Sequence, residues 1–189
     1  VNGGIFERYI YADVETISVL NGLQAWKQDF VFDVTGIDQI LMLEQADVLD
    51  QDSDLNTTEL TRSYYHRNAL GSVMGISTAS QTEAASYRYT PYGERTTTRG
   101  GSVQSIDPLG QYWGFTARFH DDDLAAVYFR ARHQAPGAGR FTQRDPMGHE
   151  AGPNQYQFVE SSPLSRRDPM GLFSVSVSPP RTALLDVMV

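Results

Sequence analysis

Two aspartates sit in one repeated setting. The string RDPMG begins at Arg144 and again at Arg167, which places Asp145 and Asp168 in identical surroundings 23 residues apart. Two carboxyls brought together can hydrolyse a peptide bond. One, ionised, takes a proton from water, and the other, protonated, gives a proton to the carbonyl oxygen. Neither ionises easily beside the other, so one pKa rises and the pair divides acid and base roles. An arginine next in sequence, as Arg144 is to Asp145, would hold its partner ionised. Gly171 would let an extended backbone approach closely. When the bond is tethered to the carboxyls, cleavage becomes effectively unimolecular, with effective molarities up to about 10⁵–10⁸ M. The same string is also a good turn without any chemistry. Asp at the first position accepts backbone hydrogen bonds and Pro sets φ at the second. A third, partial copy, IDPLG from Ile106, lacks the arginine and reads as a turn.

Other constellations carry less. His66, His120, His133 and His149 stand on four separate segments. His120 followed by Asp121, Asp122 and Asp123 has the donor types of a metal site, but a solvated acidic turn accounts for it, and no metal or cofactor is expected. No serine sits in a G-x-S-x-G elbow. GSVMGIS is too short for a phosphate loop and has no lysine. The NTT triplet at Asn56 matches a glycosylation acceptor of a kind common by chance. Trp26 and Trp113 read as core or hairpin aromatics.

Composition narrows the partners. The 189 residues carry a formal charge of −8 and a single lysine, Lys27, which argues against binding nucleic acid. There is no cysteine, hence neither disulfide nor thiolate metal site. No apolar run is long enough to span a membrane as a helix. The opening VNGGIFERYIY has neither an initiator Met nor the pattern of a signal peptide, and the chain reads as the C-terminal piece of something longer.

The elements that must position the aspartates are strands. FERYIYADVETISVL and KQDFVFDVTG alternate apolar and polar residues and are rich in β-branched and aromatic types. LTRSYYHRNALGSVMGIS and AASYRYTPYGE read as strand and turn in succession, with Pro91 and Gly93 in the second turn. AAVYFRARHQAPGAGRFTQRDP predicts two strands around Pro136, Gly137 and Gly139, QYQFVESSPLSRRDP one more before Pro163, and FSVSVS another. Turn signals recur at roughly 8–12-residue spacing, as in antiparallel β architecture. Two stretches break the pattern. Ile40 to Leu49 has a helical reading, although six acidic residues from Glu44 to Glu59 favour an exposed loop after a strand. ERTTTRGGSVQSIDPLG, rich in Thr, Ser and Gly, reads as a loop. Tyrosines at i and i+2 in ERYIYADVE and ASYRYTPYGE would share one strand face and build aromatic ladders.

In order, YYHRNALGSVMGIS, YRYTPYGE, GRFTQRDPMGHEAGPNQYQF and SSPLSRRDPMGL resemble the RHS repeat-associated core of the RHS/YD-repeat proteins, a region shared by toxin-complex C subunits. The resemblance runs from about Phe6 to Leu172 and is strongest after Tyr64. It implies an all-β fold: an antiparallel β-hairpin ribbon whose curled sheet forms the terminal part of an RHS-type shell. Residues 1–172 would be the core (a partial shell) and 173–189 a short variable tail. It also implies an aspartyl autoprotease acting once on its own chain. Asp145 and Asp168 match the two motif aspartates, Arg144 a basic position, and Asp123, among the acidic trio 121–123, an upstream acidic residue. Leu172 would precede the cut and Phe173 follow it. The implied partners are an upstream YD-repeat shell and a C-terminal toxin or its immunity protein, and the implied location is secreted or cell-surface. The chain departs from the family pattern at Asn68, usually Asp, at VYFRARHQAP, usually richer in aromatics, and at HDDDLAA, which lacks a turn glycine. Those changes are expected to weaken stacking and turn formation. A non-catalytic structural or adhesion shell, with a carbohydrate-binding face of Tyr and Arg, is the alternative.

Overall fold

A computed structural model describes residues 8–12, 15–20, 26–32, 40–46, 60–105, 107, 109 and 111–177. The all-β antiparallel architecture expected from the sequence is the one the chain adopts. Nine strands form a single meandering sheet in chain order: β1 (Arg8–Ala12), β2 (Glu15–Leu20), β3 (Trp26–Phe32), β4 (Ile40–Ala46), β5 (Leu60–Arg67), β6 (Val73–Thr78), β7 (Glu83–Tyr89), β8 (Arg95–Arg99) and β9 (Ser102–Gln104). A second sheet pairs β10 (Phe119–Asp121), β11 (Ala126–Tyr128), β12 (His133–Ala135) and β13 (Arg140–Phe141). A third holds only β14 (Arg166–Arg167) and β15 (Val175–Ser176). Every neighbouring pair is antiparallel. Among the described residues no helix is long and apolar enough to cross a membrane.

Alternation puts one face of the large sheet in a core. Leu43, Tyr65, Ile76, Ala85 and Tyr87 are buried there with Ile40 and Val73, and Tyr89 continues the Tyr87 face. The i, i+2 tyrosine pair of β7 therefore shares a side, as its spacing predicts. Trp113 closes this core edge-on against Phe30 and Phe32, with ring centroids 6.2 and 5.5 Å away. Trp26 lies in β3. A second, aromatic core carries the small sheet: Phe115, Val127, Phe129, Phe141, Phe158 and Val159, with Tyr89 and Tyr92 packed against it. Phe158 is its hub, meeting Phe129, Phe141, Phe115 and Tyr92 at 5.2, 5.5, 6.2 and 6.5 Å. Contacts of this kind favour tilted and T-shaped rings, which fix relative orientation as well as burying area.

Three local expectations are corrected. Residues 40–46 are neither helix nor loop. They form β4, laddered between β3 and β5, because Ile40 and Leu43 reach the core there; the remaining acidic residues, 47–59, lie outside the described residues. The Thr-Gly stretch is a hairpin rather than a loop. Thr96, Thr97 and Thr98 supply β-branched strand residues, and Gly100 and Gly101, at φ 55° and 79°, form the two-residue turn. The strand expected in 155–162 is instead a 3-10 turn, Val159–Ser161, with three successive positive φ values and a lone bridge from Gln157 to Arg140. Sending Phe158 into the aromatic hub takes the backbone out of line for a ladder.

The family departures turn out differently from expectation. Asn68 Oδ1 accepts the N–H groups of Leu70 and Ser72, both at 3.0 Å, so it forms the turn an aspartate would form. In HDDDLAA, Asp121 Oδ1 caps the Leu124 N–H at 2.9 Å, and Ala125 takes the left-handed conformation, φ 47°, usual for glycine. His120 belongs to no metal cluster. It is buried, its Nε2 accepts the Phe115 N–H at 3.0 Å, and burial with Arg95 nearby lowers its pKa to about 3. Among the described residues no group of three His, Asp or Glu could hold a metal ion.

Candidate functional site

Each RDPMG aspartate makes its own turn. Asp145 Oδ1 accepts the Met147 N–H at 2.9 Å, and the Gly148 N–H closes onto the Asp145 carbonyl at 2.9 Å. Asp168 Oδ1 receives three backbone donors, Met170 at 3.2 Å, Gly171 at 2.7 Å and Leu172 at 3.1 Å. Asp107 in IDPLG caps Leu109 at 3.0 Å in the same way, the turn its sequence predicts.

The turns do more than turn. Both aspartates are buried, Asp145 at 7% and Asp168 at 2% exposure, and their outer oxygens converge on one side chain. Arg132 Nη1 lies 2.9 Å from Asp145 Oδ2, and Arg132 Nη2 lies 3.5 Å from Asp168 Oδ2. The guanidinium is itself buried and stacked 3.7 Å above the Phe141 ring centre. Its Nε donates to the Gly171 carbonyl at 2.6 Å and Nη1 to the Gln155 carbonyl at 3.3 Å. One planar fork thus engages two carboxylates and two carbonyls, a pattern open to arginine and not to lysine.

The arginine is delivered by the link between β11 and β12. Arg130 takes φ 62°, and the Phe129 N–H returns to the Arg132 carbonyl at 2.8 Å, so Phe129 turns into the aromatic core and Arg132 toward the aspartates. This turn grips the second motif along its length. Arg130 Nη1 donates to the Pro169 carbonyl at 2.7 Å, the Ala131 N–H to Met170 at 3.2 Å, and Arg132 Nε to Gly171. A Cβ on Gly171 (φ +69°) would lie 2.4 Å from the Phe129 carbonyl oxygen, so glycine is required on steric as well as conformational grounds. Burial raises the pKa of Asp168, opposed by its three backbone donors and by Arg132. Burial lowers that of Arg132, opposed by both carboxylates.

The structure brings together Asp145, Asp168 and the backbone leading to Leu172. Phe173, just beyond, is exposed at 53%. Arg144 points to solvent, and no hydrogen bond or ion pair among the described residues joins it to either carboxyl. Asp123 is exposed in the β10–β11 turn, where Asp122 pairs with Arg95 at 2.6 Å. Sequence reasoning missed Arg132. It sits in VYFRARHQAP, a segment weighed only for its missing aromatics; the signal there was an arginine on a short strand pair amid apolar residues.

No family model matches the chain. Toxin protein Tse5 of Pseudomonas aeruginosa is 38% identical over 65 residues, covering 34% of this chain. The tRNA3(Ser)-specific nuclease WapA of Bacillus spizizenii is 32% identical over 122 residues, covering 62%. Among solved structures, the TcdB2–TccC3 crystal structure superposes over 89% of this chain with TM-score 0.64 and 19% identity. These matches support an RHS-family relationship. The chain spans 5% of the length of each of these two curated relatives and 7% of the TcdB2–TccC3 chain. At 19% identity the structural likeness is one of fold, and it extends across all three sheets described above.

Proposed function

We propose that this chain is the terminal part of an RHS-type shell from a toxin-related protein, and that it cuts itself once, between Leu172 and Phe173. The observation that carries the reading is the meeting of two motif carboxyls at one buried guanidinium, with Asp168 Oδ1 3.1 Å from the Leu172 amide nitrogen. The balance is that of hydrolysis. Water adds to the Leu172 carbonyl carbon as the ionised carboxyl takes its proton and the protonated one supplies a proton to the carbonyl oxygen. The C–N bond then breaks, the Phe173 nitrogen takes up a proton, and a Leu172 carboxylate remains. Asp168, whose burial favours its protonated form, is the acid, and Asp145 the base. Arg144 and Asp123 stay outside this scheme as accessory positions.

In the same reading, residues 1–172 form the core and 173–189 the tail. Upstream YD-repeat strands and a C-terminal toxin with its immunity protein are the partners, and the parent protein is secreted or cell-surface. Intact-mass spectrometry of the purified full chain is the test. A fragment ending at Leu172, absent in Asp145→Asn and Asp168→Asn, is expected; a wild type that stays whole would end the proteolytic reading.

A second reading, a non-catalytic structural shell, is favoured by how fully the carboxylates are engaged. Asp168 Oδ1 alone receives three backbone donors, and both Oδ2 atoms face Arg132. It predicts an intact chain whose melting temperature falls on removal of either aspartate. A carbohydrate face on its exposed Tyr and Arg residues belongs to this reading, and a glycan array would test it.

A further inference from the structure

We infer that Arg132 is the positioning residue of the self-cleavage, the group that turns two separate turn aspartates into one working pair and registers the chain against it. The inference rests on the reading above and adds to it a residue outside both RDPMG strings. Its basis is geometric. The two motifs contact a common group only through this guanidinium: Nη1 on Asp145, Nη2 on Asp168 and Nε on the Gly171 carbonyl, one residue before the proposed cut. The fork is held by Phe141 beneath it and the Gln155 carbonyl beside it. A cation so bound cannot swing away, and the carbonyls of 169, 170 and 171 are fixed by consecutive residues of one turn.

Lysine would keep the charge but not the fork. It can satisfy one carboxylate as a point charge while leaving the Gly171 carbonyl and the second carboxylate unmatched. Displacement of a reacting group by about 1 Å costs about 100-fold in rate, so cleavage should respond strongly to a change that barely alters net charge. Arg130 is the other cation on this turn, and its bond to the Pro169 carbonyl supports the backbone rather than the carboxyls.

The experiment follows the full chain as wild type, Arg132→Lys, Arg132→Gln and Asp145→Asn, with intact-mass cleavage rates across pH 4–9 and melting temperatures in parallel. Arg132→Lys should stay folded and cleave about 100-fold more slowly, with a changed pH profile, and Arg132→Gln more slowly still. Folded Arg132 variants that cleave at the wild-type rate with the wild-type profile would overturn the inference while leaving the dyad intact. Should wild type and Asp145→Asn both stay whole, the cleavage reading fails and carboxyl-carbon NMR titration of Asp168 decides the rest. A midpoint that moves upward in the Arg132 variants upholds Arg132 as the group that sets the pair; an unmoved midpoint overturns that too.

Discussion

The doubled string contains its own control experiment. Gly148 and Gly171 end the two copies with almost the same backbone, φ +63° and +69°, but only the second is enclosed. A Cβ on Gly148 meets nothing within 4 Å, whereas one on Gly171 would stand 2.4 Å from the Phe129 carbonyl oxygen and 3.1 Å from the Arg132 backbone nitrogen. Alanine at either position incurs the left-handed penalty of about 1–2 kcal/mol. At 171 it must also push the 129–132 turn aside by about 1 Å, an overpacking cost of about 1–3 kcal/mol. Restricting the unfolded chain returns about 0.4–1 kcal/mol at both sites. Gly148→Ala should therefore cost about 1 kcal/mol and Gly171→Ala about 3 kcal/mol, which for a chain of this size corresponds to roughly 2–4 °C and 6–12 °C in melting temperature. Thermal unfolding followed by circular dichroism, at pH 7 for both variants, measures the difference. Equal losses would mean that the second motif is not pressed against the 129–132 turn, and the grip on carbonyls 169–171 would go with it.

Other substitutions probe the supporting structure. Phe158→Ala removes the hub of the aromatic core and should cost about 3–5 kcal/mol; a loss below 1 kcal/mol in urea unfolding would contradict its central place. His120, held neutral with its pKa at about 3 against 6.5 unfolded, makes the fold weaken as pH falls below about 6.5, because the unfolded chain gains a proton that the folded one refuses. The slope is about 1.4 kcal/mol per unit, so His120→Gln should flatten stability between pH 6.5 and 4 relative to wild type. Asp168, with its pKa raised, contributes in the opposite direction at lower pH, which makes the comparison of the two chains the decisive measurement. Ala125→Gly should stabilise the β10–β11 turn by about 0.5–1 kcal/mol by relieving φ 47°; a lower melting temperature would refute that strain.

How much could be read from residues alone depends on the range of the interaction. Alternation and turn chemistry are local, so the antiparallel strands, the Gly93 turn and the aspartate caps were legible. The β8–β9 hairpin was obscured by composition, since Thr-rich and Gly-rich segments resemble loops until Gly100 and Gly101 are seen as a two-residue turn between β-branched runs. Residues 40–46 took their state from neighbours on both sides, and no periodicity within a seven-residue strand between ladders can show that. Val159–Ser161 went wrong for the opposite reason: Phe158 had a better place than the strand face its pattern offered. In the site, identity of the motifs exposed the aspartates, but nothing local ties Arg132 to either. Its link to Asp145 crosses 13 positions and its link to Asp168 crosses 36.

Arg132 also explains why two buried aspartates are tolerable at all. A turn aspartate can cap its N–H groups while its other oxygen faces water, so capping alone gives no reason for burial. Removing an ionised carboxylate from water costs several kcal/mol unless a counter-ion and hydrogen bonds replace the solvent. Asp107, Asp145 and Asp168 are each buried, and each has a guanidinium from a distant strand or turn: Arg95 at 3.5 Å from Asp107, and Arg132 for the other two. The cations of this chain are almost all arginines, and only a rigid fork can reach two carboxylates at once. Sharing leaves the pair one positive charge short when both are ionised. The surplus falls on a group already desolvated, so the triad is balanced when a single proton resides there, in the direction that burial moves Asp168. A structural clamp would be served equally well by a second arginine and no proton. Two carboxyls with one guanidinium between them is instead the stoichiometry of a site with an acid and a base.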